Sequence, residues 1–276
     1  TAIMKRHGYT TVAYHGFEPQ ESWPTQMLHT APFQQFHYRV SDVSLRSPPE
    51  ELYRLLYRVR KTPFFIFLHG YDAHEPHLLP AWCDANRFDP TYQGGLPGTF
   101  AALWPAFALN NANHVTFDAF YREQLNGMQP ADVEHLKAVY DAQIYYLDQG
   151  LGRVLTALKN LDIADRTLIV IVSDHGQMFG EHGEYATHSH CYDEIIHTVL
   201  IVKDPRRRLG GIHIPRIVQL VDVMPTILEL AGIPLPSGLA GRSLVPLLDT
   251  GRDEGREEIA ITVSGPGGTA SIRSPE

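Results

Sequence analysis

Two apolar runs, Phe64-Phe65-Ile66-Phe67-Leu68 and Leu168-Ile169-Val170-Ile171-Val172, restrict what this chain can fold into more than any other feature. Each is strand-length, unbroken rather than alternating, and rich in β-branched or aromatic residues, the pattern of strands covered on both faces. Neither approaches the roughly 20 apolar residues that a membrane-spanning helix needs. Each also leads directly into a polar segment. The first continues as His69-Gly70-Tyr71-Asp72-Ala73-His74-Glu75-Pro76-His77, the second as Ser173-Asp174-His175-Gly176. Active groups in open α/β sheets gather at the carboxyl ends of strands, so both segments are candidate chemistry.

Helical patterns separate the strands. Leu52, Leu55, Leu56 and Val59 predict an amphipathic helix over 50–60, broken by Lys61-Thr62-Pro63. Val133, Leu136, Tyr140, Ile144, Leu147, Leu151, Val154 and Leu158 recur by three and four, predicting one helix from Ala131 to Leu161. Residues 1–8 read as the last turns of a helix stopped at Gly8, and Tyr9–Tyr14 as a short strand. Residues 15–50 read as irregular, and 75–115 as a Gly- and Pro-rich excursion overhanging the first strand end. A third strand is expected over Thr198–Val202, then a helix with Asp222 as N-cap, Pro225 in its first turn and Gly232 at its end.

Apolar strands alternating with helices predict an α/β domain, a three-layer αβα sandwich around a mostly parallel sheet. It is expected to occupy residues 1–251, with a small antiparallel subdomain over 252–276 whose first strand is Glu258–Val263. Both ends of the sequence read as cut, so the absence of a targeting segment carries no weight.

Thirty-one acidic residues against 23 basic ones, with no basic stripe, argue against a nucleic-acid partner. Arg206-Arg207-Arg208 reads as a solvated loop. No membrane span is expected in this portion. The two cysteines, Cys83 and Cys191, form neither a disulfide framework nor a metal-type pair, and leave the compartment undecided.

Asp174 and His175 directly past a buried strand form a natural metal pair: the carboxylate brings charge, the imidazole a directional nitrogen, and Gly176 lets the backbone turn. An ordinary Asp-His-Gly turn is the plain alternative. The surrounding density tips the balance, since His175, His182, His188, His190 and His197 crowd one stretch beside a core strand.

Val170-Ile171-Val172-Ser173-Asp174-His175-Gly176, followed by Gly180-Glu181-His182-Gly183, resembles the second metal-binding segment of the sulfatase family, within the alkaline-phosphatase superfamily. Phe64 to Pro76 resembles that family's strand and substrate-histidine segment. The 138–152 helix, Asp222-Val223-Met224-Pro225 with Ala231-Gly232, and Gly241-Arg242-Ser243-Leu244 follow in the family's order. The resemblance implies an alkaline-phosphatase-like fold, truncated at its N-terminal side, and hydrolysis of a small-molecule or saccharide sulfate ester. It implies Asp174 and His175 as ligands of one divalent cation, calcium, and His74 as the histidine that contacts the ester and assists the leaving oxygen. His69 is either a supporting donor to the substrate or a strand-end core residue. Asp72 either shapes the loop or reads a substrate hydroxyl.

Departures from the family pattern bear on the substrate. Its sulfate-binding lysine falls on His188, which replaces that cation only when protonated. The Lys-x-His element near Gly16 and Glu18 is missing, and His15 is read as a surface histidine. The nucleophile implied by the resemblance is a formylglycine made from a Cys/Ser-x-Pro-x-Arg segment, and neither Cys83 nor Cys191 is followed by that Pro and Arg. With the nucleophile and the first metal carboxylates missing, these residues alone are expected to be inactive. Two alternatives stay open: a phosphodiesterase or phosphonate monoester hydrolase of the same superfamily, using Mn2+ or Zn2+, and a non-catalytic binding homologue.

Overall fold

The apolar run at residue 64 is a strand, β3 (Phe64–His69), in this computed structural model, and it lies in a parallel sheet. The structure describes residues 1–15, 33–38, 44–74, 77–96, 98–99, 123, 125, 127–183, 185, 190–206, 210–251, 259–262 and 270–273. They divide into two units, Thr1–Asp162 with Phe179–Ala186, and Ile163–Met178 with Thr187–Glu276.

The first unit opens with α1 (Ala2–Arg6), which ends at Gly8 with φ +81°. The next strand, β1 (Thr10–His15), is buried from Thr11 onward. It is the middle of three parallel strands in the order β2-β1-β3, with Val12 opposite Ile66 and His15 opposite His69. The remaining strand, β2 (Gln35–Tyr38), lies in a stretch expected to be irregular. No apolar alternation announces it. It forms through tertiary pairing, and Gln34 pins its start: the Thr11 N–H donates to the Gln34 side chain at 2.7 Å, and the Gln34 N–H donates back to Thr11 Oγ1 at 3.1 Å.

The helix α2 (Glu50–Val59) buries Leu52, Leu55, Leu56 and Val59, as their spacing requires, with Glu50 and Glu51 at its positive end. The long helix α3 (Pro130–Asn160) starts with proline at its first position, which needs no backbone donor. Its buried face departs from the expected stripe: Ala142, Gln143 and Gly150 are covered, while Ile144 is 42% exposed. Ala142 and Gln143 are covered by residues 77–83, with His77 Nδ1 2.9 Å from Gln143 Oε1, and Gly150 by a polar strap at 44–47. A Cβ on Gly150 would lie 1.6 Å from the Leu45 carbonyl oxygen, so only glycine allows that approach. Residues 77–99 also pack on α3, with Leu78 beside Leu136 and Phe179, and Leu79 and Cys83 beside Val139 and Ala142.

In the second unit, β4 (Ile169–Val172) pairs antiparallel with β5 (Leu200–Lys203), Ile171 opposite Ile201. A short helix, α4 (Asp193–Ile196), precedes β5. Next, α5 (Val223–Leu230) ends at Gly232, φ +69°. Asp222 holds the N-cap position, as expected, but its side chain makes no cap hydrogen bond. It is fully buried, and its carboxylate accepts the N–H groups of Gln219 and Arg242, each at 2.9 Å, tying two loops together. A further helix, α6 (Val245–Thr250), has no counterpart in the sequence reading. Finally β6 (Ile259–Thr262) and β7 (Ala270–Arg273) pair antiparallel. Among the described residues no helix is long and apolar enough to cross a membrane.

Candidate active site

Because β1 and β3 run side by side in one direction, their last residues arrive together. The His15 and His69 rings meet edge to face, centroids 4.6 Å apart. Tyr71 lies against both, 6.0 Å from His15 and 5.1 Å from His69, and the His74 ring tilts against Tyr71 at 5.2 Å. Three histidines and a tyrosine therefore form one aromatic ladder at the carboxyl end of the sheet. His15, expected at the surface, is 1% exposed because β1 is flanked by strands on both sides. Sequence reasoning missed it. The available signal was its place at the end of a β-prone run, the same place that His69 holds on its own strand.

His74 follows β3 on a tight turn, its N–H donating to the Tyr71 carbonyl at 3.2 Å. Asp72, in the middle of that turn, faces inward. Its Oδ2 accepts the Leu45 N–H at 2.8 Å, and its Oδ1 accepts the Ser44 hydroxyl and the Arg46 N–H, the latter at 3.3 Å. Arg46 Nε stands 3.0 Å from Oδ1 in ion-pair rather than hydrogen-bond geometry. Arg46 Nη2 also donates to the Asp72 carbonyl at 2.6 Å. Burial lowers the Arg46 pKa, and Asp72 works against that shift. A carboxylate offers about four acceptor positions; hydrogen bonds from Ser44, Leu45 and Arg46 use three of them, and the Arg46 Nε ion pair stands beside Oδ1. Of the two roles expected for Asp72, its contacts support loop shaping.

Asp174 and His175 leave the end of β4 in the second unit. Ser173 is fastened to Val199 by N–H to carbonyl at 3.2 Å and by the Val199 N–H to Ser173 Oγ at 3.0 Å. Gly176 and Gln177 donate to the carbonyls of Ile195 and Glu194 at 2.6 and 2.9 Å. A Cβ at Gly176 would sit 2.1 Å from the Glu194 oxygen, so this glycine is required by backbone packing. The Asp174 side chain is 76% exposed and that of His175 is 23% exposed. His175 Nδ1 lies 2.8 Å from the Gly176 carbonyl. A carbonyl only accepts, so Nδ1 carries the proton and Nε2 the lone pair, the tautomer a metal-binding imidazole uses. Nε2 is 3.8 Å from Asp174 Oδ1, a spacing that two donors sharing one cation at about 2.4 Å each can adopt. Among the described residues no group of three or more His, Cys, Asp or Glu is arranged to hold a metal.

His182 belongs to the other unit, in a turn between Phe179 and Tyr185. Glu181 accepts the Phe179 N–H there at 2.6 Å, and Gly180 holds φ +102°. His188 lies outside the described residues, as do Glu75 and Pro76. His69, Asp72 and His74 are thus brought together in one unit, and Asp174 and His175 in the other.

Cys83 begins the run Cys83-Asp84-Ala85-Asn86-Arg87, with alanine where a Cys-x-Pro-x-Arg segment has proline. It is buried under α3, and that burial pushes its thiol up to about 11. A thiol held protonated is unsuited to nucleophilic use or modification.

The sulfatase family model matches residues 1–233. Mouse arylsulfatase K is 33% identical over 194 residues, covering 67% of this chain and 34% of the mouse protein. The chain thus spans about a third of the length of the curated relatives it matches. A protein solved in complex with its substrate D-glucosamine-2-N,6-O-disulfate superposes with TM-score 0.70 at 17% identity, over 99% of this chain and 70% of that one. A phosphonate monoester hydrolase from Silicibacter pomeroyi gives TM-score 0.69 at 21% identity, over 99% and 69%. These two likenesses establish the fold, mixed α/β of the alkaline-phosphatase type.

Proposed function

This chain belongs to the sulfatase family, and from that premise we propose that the protein hydrolyses sulfate esters with the help of a divalent cation, calcium. The observation that carries the reading is the Asp174–His175 pair, fastened at a strand end with the histidine in its metal-binding tautomer. The Asp174 carboxylate is the oxygen ligand that calcium takes, whereas the His175 imidazole is a nitrogen donor more usual on zinc or manganese; Asp174 and His175 are the residues that would hold the cation. When bound, it withdraws charge from the sulfate oxygens.

The residues present have distinct tasks in this reading. His74 donates a hydrogen bond, and then a proton, to the oxygen of the departing alcohol, a task an imidazole performs near neutral pH. Tyr71 packs against its ring, with His69 behind Tyr71, and covers that flank. The expected formylglycine nucleophile does not fit these residues: the nearest match, at Cys83, is buried, and that burial holds its thiol protonated.

The test is a comparison of substrates. The purified protein, supplied with calcium, is expected to hydrolyse an aryl sulfate faster than a bis-aryl phosphate or an aryl phosphonate. The reverse order would assign phosphoester chemistry and make His188, in the place of a lysine, its signature. Hydrolysis of none of them would mark a binding homologue.

A further inference from the structure

The geometry points to Arg46 and Asp72 as the positioning pair of the His74 turn, an inference that rests on the sulfate-ester reading above. His74 lies beyond the last residue of β3, in a turn closed by one backbone hydrogen bond. A residue so placed keeps its direction only if the turn is fixed from outside. Asp72 supplies that fixation, because every polar contact described for its carboxylate goes to the 44–46 strap. The strap is in turn referenced to α3: Gly150 admits the Leu45 carbonyl against the helix, and Arg153 donates to the Arg46 carbonyl. Gly70 completes the fit, since a Cβ there would meet Asp72 Oδ2 at 2.5 Å. Contact therefore runs unbroken from the longest helix through the strap and Asp72 to the turn carrying His74.

The energetics favour a geometric role over a stabilising one. The side chains are 9% and 2% exposed, and a pair so buried forfeits much of its attraction to desolvation, so that apolar residues of similar size often stabilise as well. What apolar residues cannot reproduce is direction. Here one carboxylate fixes three consecutive residues, Ser44, Leu45 and Arg46, while the guanidinium returns to the Asp72 carbonyl.

If the pair aims His74 at the leaving oxygen, its loss is felt in proportion to how much the leaving group needs a proton. The experiment uses Ser44→Ala, Arg46→Lys and Asp72→Asn in the purified, calcium-loaded protein, with aryl sulfates whose phenols span nitrophenol to unsubstituted phenol. The kcat loss is expected to be small for the most acidic phenol and on the order of 100-fold for the least acidic, with KM held within about threefold. Ser44→Ala should show the mildest form. Added to His74→Ala, Asp72→Asn should cost almost nothing further. A loss by one common factor across the series, or one that multiplies fully with His74→Ala, would show a merely structural pair. If Asp72→Asn does not fold, Arg46→Lys and Ser44→Ala carry the same comparison. A wild-type protein that hydrolyses no aryl sulfate would overturn the sulfate-ester reading and this inference with it.

Discussion

Cys83 shows how a residue's surroundings overrule its type. Its thiol is buried against Val139 and Ala142, and desolvation raises its pKa to about 11, more than the nearby Arg46 lowers it. At pH 8 such a group is thiolate about one part in a thousand. Iodoacetamide should therefore leave Cys83 intact in the folded protein and modify it readily in urea, as peptide mass spectrometry reads directly. Labelling at the rate of an open thiol without urea would mean that the 77–99 segment does not pack on α3 as described. The same dependence on surroundings decided which site residues were legible in the sequence. Asp174, His175 and His74 stand two to five residues past the ends of strands built on unbroken apolar runs, so chain position alone exposes them. The burial of His15 follows from having neighbours on both sides of β1, and the role of Asp72 from a strap 26 residues earlier in the chain. Neither cause leaves a local pattern.

Among the elements, helix boundaries followed the sequence where capping chemistry is local, and the buried face of α3 did not follow it where a strap intervened. The N-terminus of α3 holds a titratable device. Gln129 as N-cap is bonded by Asp132, whose Oδ2 accepts the Gln129 N–H at 2.8 Å while Oδ1 takes the Tyr92 hydroxyl at 2.5 Å. The tyrosine bond, and then the backbone bond, hold the Asp132 carboxyl below its ordinary 3.8. A carboxyl whose folded pKa is depressed contributes stability that is fully present above its unfolded value and lost as pH falls through its folded one. Asp132→Asn should thus cost about 1 kcal/mol at pH 6, the usual worth of a helix cap, and progressively less below pH 3.8. Urea unfolding of both proteins at pH 6 and pH 3 measures the difference. An undiminished gap at pH 3 would mean that the charge on Asp132 plays no part. The strands divide the same way: β3 and β4 lie where continuous apolar runs placed them, and β2, held by Gln34 and by pairing to β1, had no local signal.

For the whole molecule, the cation offers a test that needs no catalysis. Any ligand that binds the folded state alone stabilises it by mass action, about 2.7 kcal/mol at one hundred times its dissociation constant. Calcium should therefore raise the Tm of the purified protein in a concentration-dependent way. Asp174 is exposed, and the contacts of its carboxylate among the described residues are with the adjacent His175, so Asp174→Asn should leave the metal-free Tm nearly unchanged while greatly reducing the rise with calcium. That pairing of outcomes separates a ligand from a structural residue: a structural role lowers the metal-free Tm, and a ligand role lowers only the response. Differential scanning fluorimetry across a calcium series, in wild type and Asp174→Asn, reads both quantities at once. A rise of equal size in the two proteins would place the cation elsewhere and remove Asp174 from the metal site. A rise that appears with manganese or zinc in place of calcium would keep Asp174 as ligand and shift the chemistry toward phosphoesters.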